Sequence, residues 1–122
     1  MPRILVAEDS MTDLQFIKNA LKDTGYEILT ASDGDEAEQK VRTESVDLII
    51  LDVVMPKKNG FQVCRSLKRD EKYRHIPIIM ITSKTQDSDR FWGLKQGADE
   101  YVTKPFEATD LLHAVRKHLP GV

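Results

Sequence analysis

Five short apolar runs, separated by longer amphipathic stretches, predict an α/β protein of the (βα)5 type: a doubly wound, five-stranded parallel sheet with helices on both faces. Two details of the third run support that class. Leu48-Ile49-Ile50-Leu51 is apolar throughout rather than alternating, as a strand buried on both faces must be. It closes on an acid, Asp52, and a strand walled in by helices can solvate a carboxylate only at its open end.

The elements follow in order. The first run, Ile4 to Ala7, leads to a helix on which Leu14, Ile17 and Leu21 recur three and four residues apart, with Ser10 or Thr12 as N-cap and Gly25 just past its end. The second run, Tyr26 to Ala31, precedes a helix headed by Asp33, with Ala37 and Val41 one turn apart on the same face. The third, Val46 to Leu51, is followed by a helix that begins near Asn59-Gly60 and turns Phe61, Cys64 and Leu67 inward. After the fourth, Ile76 to Thr82, a helix opening at Asp87 or Ser88 and stopping at Gly97 carries Phe91, Leu94 and Ala98 as its buried stripe. Trp92 lies roughly 100° round that helix from Phe91, on the flank of the stripe, either packed in the core or part of a partner surface. The fifth run, Glu100 to Val102, leads to a helix that opens near Thr109-Asp110, buries Leu111 or Leu112, Val115 and Leu119, and ends at Pro120-Gly121. No repeat or linker interrupts the series, so residues 1–122 read as one domain.

Composition narrows the function. A chain of 122 residues is long enough for one core and too short to hold a receptor and an output module as well. With 18 basic and 20 acidic residues the net charge is −2, and Lys57-Lys58 and Lys68-Arg69 are too short to make a nucleic-acid face. The single cysteine, Cys64, excludes an internal disulfide and a cysteine-cluster zinc site, and fits a reducing compartment. Met1-Pro2-Arg3 runs straight into the first strand without a leader-like apolar region, and no run approaches the roughly 20 apolar residues of a membrane helix. The expectation is a soluble, cytoplasmic protein that engages neither membrane nor nucleic acid. His75, His113 and His118 show no helix-face spacing for a metal.

The chemistry gathers at the strand ends. Glu8-Asp9 follow the first strand, Asp52 ends the third, Thr82-Ser83 end the fourth and Lys104-Pro105 follow the fifth. In a parallel sheet these ends share one edge, so three carboxylates and an ammonium converge on one pocket. Carboxylates that close must be relieved by a proton, a lysine or a divalent cation, and an oxygen-only set open to solvent suits Mg²⁺ rather than zinc. A phosphoryl group arriving at Asp52 adds negative charge, which a cation, Lys104 and Thr82 could stabilise while Asp52 acts as nucleophile and becomes an aspartyl phosphate.

The ordered set Glu8-Asp9, Asp52, Met55-Pro56, Gly60, Thr82, Tyr101 and Lys104-Pro105 resembles the receiver domain of two-component response regulators, from about Arg3 to Leu119. The resemblance implies a flavodoxin-like sheet of order 2-1-3-4-5 and a cis Lys104-Pro105 bond. It implies that Asp52 takes a phosphoryl group from a sensor histidine kinase or phosphotransfer protein. Mg²⁺ would sit on Asp9, Asp52 and the carbonyl of Val54, with Glu8 reaching it through water. Lys104 would pair with the phosphoryl oxygens, Thr82 would swing in to bond one of them, and Tyr101 would follow between outward and inward positions. That movement would change a binding face, to which Lys84, Trp92 and Tyr101 belong, for a downstream target protein. Glu8 stands where the family commonly has an aspartate, and apolar Val54 cannot orient a hydrolytic water, which predicts slow loss of the phosphate. The stretch from Thr82-Ser83-Lys84-Thr85-Gln86 through Trp92-Gly93 to Gln96-Gly97-Ala98 is similar to stand-alone bacterial regulators of type IV pilus twitching motility, phototaxis and chemotaxis-like pathways.

Rival readings fit less well. A phosphatase of the haloacid dehalogenase type needs a second acid two positions after its nucleophile, where this chain has Val54. A flavodoxin cradles its FMN phosphate in a hydroxyl-rich first loop, whereas Glu8-Asp9-Ser10 would repel one. A scaffold with the same fold leaves the acceptor set without a purpose. The expectation is a phosphorylation switch, monomeric or weakly dimeric, with no catalytic cycle beyond assisting its own phosphorylation and slow hydrolysis.

Overall fold

In the computed structural model, which describes residues 1–84 and 86–119, strands and helices alternate without exception. They are β1 (Arg3–Ala7), α1 (Met11–Leu21), β2 (Glu27–Ala31), α2 (Gly34–Thr43), β3 (Leu48–Asp52), α3 (Gly60–Arg69), β4 (Ile78–Thr82), α4 (Asp87–Lys95), β5 (Glu100–Thr103) and α5 (Ala108–His118). All pairings are parallel and the order is β2-β1-β3-β4-β5, as the resemblance implied. Pro120-Gly121, expected to close the last helix, and Thr85 lie outside the described residues.

Each central strand divides its side chains between two cores, because successive residues point to opposite faces of the sheet. Ile4, Val6, Leu48, Ile50, Ile79 and Ile81 pack against Ile17 and Leu21 of α1 and Leu111, Ala114 and Val115 of α5. Leu5, Ala7, Ile49, Leu51, Ile78 and Met80 face Ala37 and Val41 of α2 and Val63, Cys64 and Leu67 of α3. Burial pushes the Cys64 thiol up to about 12, so this residue is an inert apolar filler.

Several boundaries differ from the sequence reading. Val46 and Ile76 are buried but lie outside the strands, which begin at Leu48 and Ile78. Pro77 can give no ladder N–H, and its carbonyl instead accepts the amide of Ile49 at 3.0 Å. Ser10, rather than Thr12, caps α1 through its side chain. Phe61 is only half-buried, and the neighbouring Val63 is the fully enclosed residue.

The larger correction concerns α4. Phe91 is 65% and Leu94 46% exposed, so they are not a buried stripe. The helix meets the sheet through Gly93, where an added Cβ would lie 3.1 Å from Met80 Sδ and 3.4 Å from the Phe61 ring. Phe91 lies about 200° round the helix from Gly93, which turns it to solvent. Trp92, whose two readings were open, is 47% exposed.

The start of α2 is pressed against the β3–α3 loop. A Cβ on Gly34 would overlap the Lys58 backbone, 2.8 Å from its carbonyl carbon, and the Gly34 amide donates to the Pro56 carbonyl at 3.4 Å. Gly34→Ala is expected to lower stability by about 1–3 kcal/mol through this overlap, despite the better helix propensity of alanine. Urea unfolding would read the loss; a midpoint equal to wild type would show that the loop yields freely.

Candidate functional site

Four strand ends converge at the C-terminal edge of the sheet. β1 runs directly into Glu8, β3 ends on Asp52, β4 on Thr82, and Lys104 follows β5. Their positions follow from backbone ties: the Glu8 amide donates to Ala31 at 3.0 Å, and the Lys104 amide to Thr82 at 2.7 Å. Glu8, Asp52 and Thr82 are buried, whereas Asp9 is exposed at the mouth.

The Lys104 ammonium is the hub. Its Nζ lies 2.7 Å from Asp13 Oδ2, 2.8 Å from Glu8 Oε1 and 3.2 Å from Asp52 Oδ2. Burial by itself lowers the ammonium's pKa, but the bonds to Asp13 and Glu8 and the charge of Asp52 outweigh it and hold Lys104 above its ordinary value. Glu8 behaves in the opposite sense to a paired acid. Burial, and then the adjacent Asp52 carboxyl, push it up to about 7 even though Lys104 pulls it down.

One carboxylate oxygen from each of Glu8, Asp9 and Asp52 lies within 4.8 Å of the others. Three hard oxygen donors, one exposed, fit a cation that keeps some of its water, so the residues present suit Mg²⁺. Val54 follows two residues after Asp52, its amide donating to Asp52 Oδ1 at 3.2 Å and its side chain 52% exposed. The loop that carries it is braced by the Gly60 amide on the Val53 carbonyl (2.8 Å) and by ion pairs from Lys57 to Asp33 (3.7 Å) and from Lys58 to the buried Glu38 (2.9 Å).

Thr82 is fully enclosed and its Oγ1 accepts the Lys84 amide at 3.2 Å. Tyr101 is buried, and its hydroxyl donates to the Lys84 carbonyl at 3.0 Å; Arg90 lies over the ring and donates to the Tyr101 carbonyl at 2.9 Å. The segment after β4 is therefore bonded on one side to Thr82 and on the other to Tyr101. Lys84 and Trp92 are exposed. The Lys104-Pro105 bond is cis.

A family model for the response regulator receiver domain matches residues 4–116. The chain belongs to that family. It is therefore a phosphoacceptor switch of two-component signalling, as the sequence reading held. It is 38% identical to protein PilH of Pseudomonas aeruginosa over 121 residues, which is 99% of this chain and all of that one. It spans about half the length of transcriptional regulators such as PhoP of Bacillus subtilis, to which it is 41% identical over 109 residues. Among solved structures, the signal receiver domain of a histidine kinase from Syntrophus aciditrophicus superposes with a TM-score of 0.91 at 37% identity, covering all of this chain and 92% of that one. The receiver domain of the P. aeruginosa sensor histidine kinase PA1611 gives 0.89 at 27% identity over 98% of both chains, and holds a magnesium ion in its active-site cleft.

The structure gathers Glu8, Asp9, Asp52 and Lys104 at this edge, with Thr82 at the end of β4, Val54 in the loop after Asp52 and Tyr101 on β5, whereas Trp92 lies on α4; one participant was missed. Asp13 makes the shortest of the three bonds to Lys104, and its only sequence signal is its place four residues after Asp9 in the first turn of α1. His118, read as incidental, contacts Glu100 at 3.3 Å. Among the described residues no helix is long and apolar enough to cross a membrane.

The raised Glu8 gives a pH signature to the metal-free protein. A carboxyl raised from 4.5 to about 7 in the folded state favours folding fully below 4.5, and that contribution is lost as pH rises through about 7. Between about pH 4.5 and pH 8, in chelator, wild type is expected to lose on the order of 2 kcal/mol relative to Glu8→Gln, read by urea unfolding. Parallel pH profiles for the two proteins would contradict the raised value.

Proposed function

We propose that Asp52 is the phosphoacceptor of this receiver domain, a single-domain switch taking its phosphoryl group from a sensor histidine kinase or a phosphotransfer protein. The observation that supports this most directly is the convergence of buried Asp52, Lys104 and Thr82 on one edge beside a three-carboxylate cluster. An Asp52 carboxylate oxygen forms the new bond to phosphorus as the donor's P–N bond breaks, its electron pair leaving with the imidazole. Lys104 neutralises charge on the transferred group, and the Thr82 hydroxyl leaves the Lys84 amide to bond a phosphoryl oxygen. Glu8, Asp9, Asp52 and the Val54 carbonyl would hold Mg²⁺, which when bound would offset the negative charge that accumulates on the oxygens.

The response follows the same bonds. Once Thr82 turns to the phosphoryl group, the Lys84 segment loses one of its two ties and Tyr101 is left to set its position. A face that includes Lys84, Trp92 and Tyr101 then presents differently to a downstream protein. The full-length match to PilH supports a place in bacterial pilus or motility control, a role that fits the cytoplasm expected from the sequence. Val54, apolar and half-exposed beside the acceptor, offers no group to orient an attacking water, so the aspartyl phosphate decays slowly.

Intact-mass measurement after incubation with Mg²⁺ and acetyl phosphate is expected to show a single phosphoryl adduct on wild type. None is expected on Asp52→Asn or in chelator; an adduct that survives in Asp52→Asn would remove the assignment. Val54→Asn is expected to shorten the adduct's lifetime, followed by the same measurement in a time course, and an unchanged lifetime would dismiss the account of slow decay.

A further inference from the structure

Lys104 is bonded to three carboxylates, and two of them, Glu8 and Asp52, also belong to the three-acid cluster. The third, Asp13, lies outside that cluster. A cation on the cluster and the Lys104 ammonium therefore draw on the same two carboxylates, Glu8 and Asp52, whereas the bond to Asp13 takes nothing from the cation. We propose that Asp13 is a positioning residue that parks Lys104, holding the ammonium at the rim of the site so that Glu8 and Asp52 are free to take Mg²⁺. This rests on the reading of Glu8, Asp9 and Asp52 as the cation site.

The local structure equips Asp13 for the task. Its amide donates to the N-capping Ser10 Oγ at 3.3 Å and the Ser10 amide to Glu8 Oε2 at 3.1 Å, which ties the first turn of α1 to the residue after β1. Lys104 and Asp13 both line a 390 Å³ cavity, whose wall also includes Phe16 and Phe106. The Asp13 side chain is 41% exposed against 17% for Lys104 and 0% for Glu8. Lys104 thus has one partner toward solvent and two toward the interior. When the inner two turn to a cation, the outer one keeps the ammonium ordered within reach of the acceptor.

Mg²⁺ binding by isothermal titration calorimetry tests this without phosphorylation, in wild type, Asp13→Asn, Asp13→Glu, Lys104→Met and the Asp13→Asn/Lys104→Met double variant. Asp13→Asn keeps the side chain's shape and is expected to bind Mg²⁺ about two- to fivefold more weakly, because Lys104 is left with Glu8 and Asp52 as its only carboxylate partners and gives them up to the cation less readily. Asp13→Glu is expected to restore binding. In the Lys104→Met background Asp13→Asn is expected to have no effect. The same loss in both backgrounds would mean that Asp13 acts on the cation through space, and undiminished binding by Asp13→Asn would overturn the parking role outright. Wild type that takes up no Mg²⁺ would overturn the cation-site reading, and the parking role with it.

Discussion

A single ammonium makes this site possible. Lys104 joins the ends of β1 and β3 and the first turn of α1 at one point, and without it Glu8, Asp13 and Asp52 would face one another as bare charges. Two like charges about 4 Å apart repel by about 4 kcal/mol at the effective dielectric of a protein surface, comparable to much of a domain's stability. The sheet brings the acids together at its edge, and the lysine makes the gathering tolerable. Burial first, and then the adjacent Asp52 carboxyl, still raise the affinity of Glu8 for a proton despite Lys104.

The helices on the other face contribute alignment rather than charge. The β3–α3 loop carries Val54 beside Asp52, to whose Oδ1 its amide donates, yet a loop alone has too few contacts to hold that position. The head of α2 supplies the constraint: Gly34 lies against the backbone of Lys58, Asp33 reaches Lys57, and Glu38, buried between α2 and α3, accepts both Lys58 and Ser66. Lys57 itself sits at φ 69°, in the left-handed region, between these ties. The site is thus supported from both faces of the sheet.

Sequence made the central strands and the site residues legible for one physical reason. Buried parallel strands have unmistakable composition, and their polar ends stand out against it, so Asp52 and Thr82 announce themselves. Peripheral packing was less visible. The α4 stripe failed because a glycine contact leaves no apolar signal, and the most hydrophobic residues of that helix face outward. Val46 and Ile76 are apolar because they are buried, not because they are strand, and composition cannot separate the two. Asp13 escaped because its partner lies 91 residues away, and an acid in the first turn of a helix is ordinary for the helix dipole alone.

The glycine beneath α4 has a mechanical meaning. A helix seated on leucines must expose a large apolar area before it can shift, whereas one seated on Gly93 has little side-chain contact there to break. Arg90 attaches it to Tyr101, bonded to its carbonyl and stacked on its ring, the same residue that bonds the Lys84 segment. α4 therefore touches the sheet there through little side-chain surface, and the Arg90–Tyr101 pairing joins it to the residue that also holds the Lys84 segment.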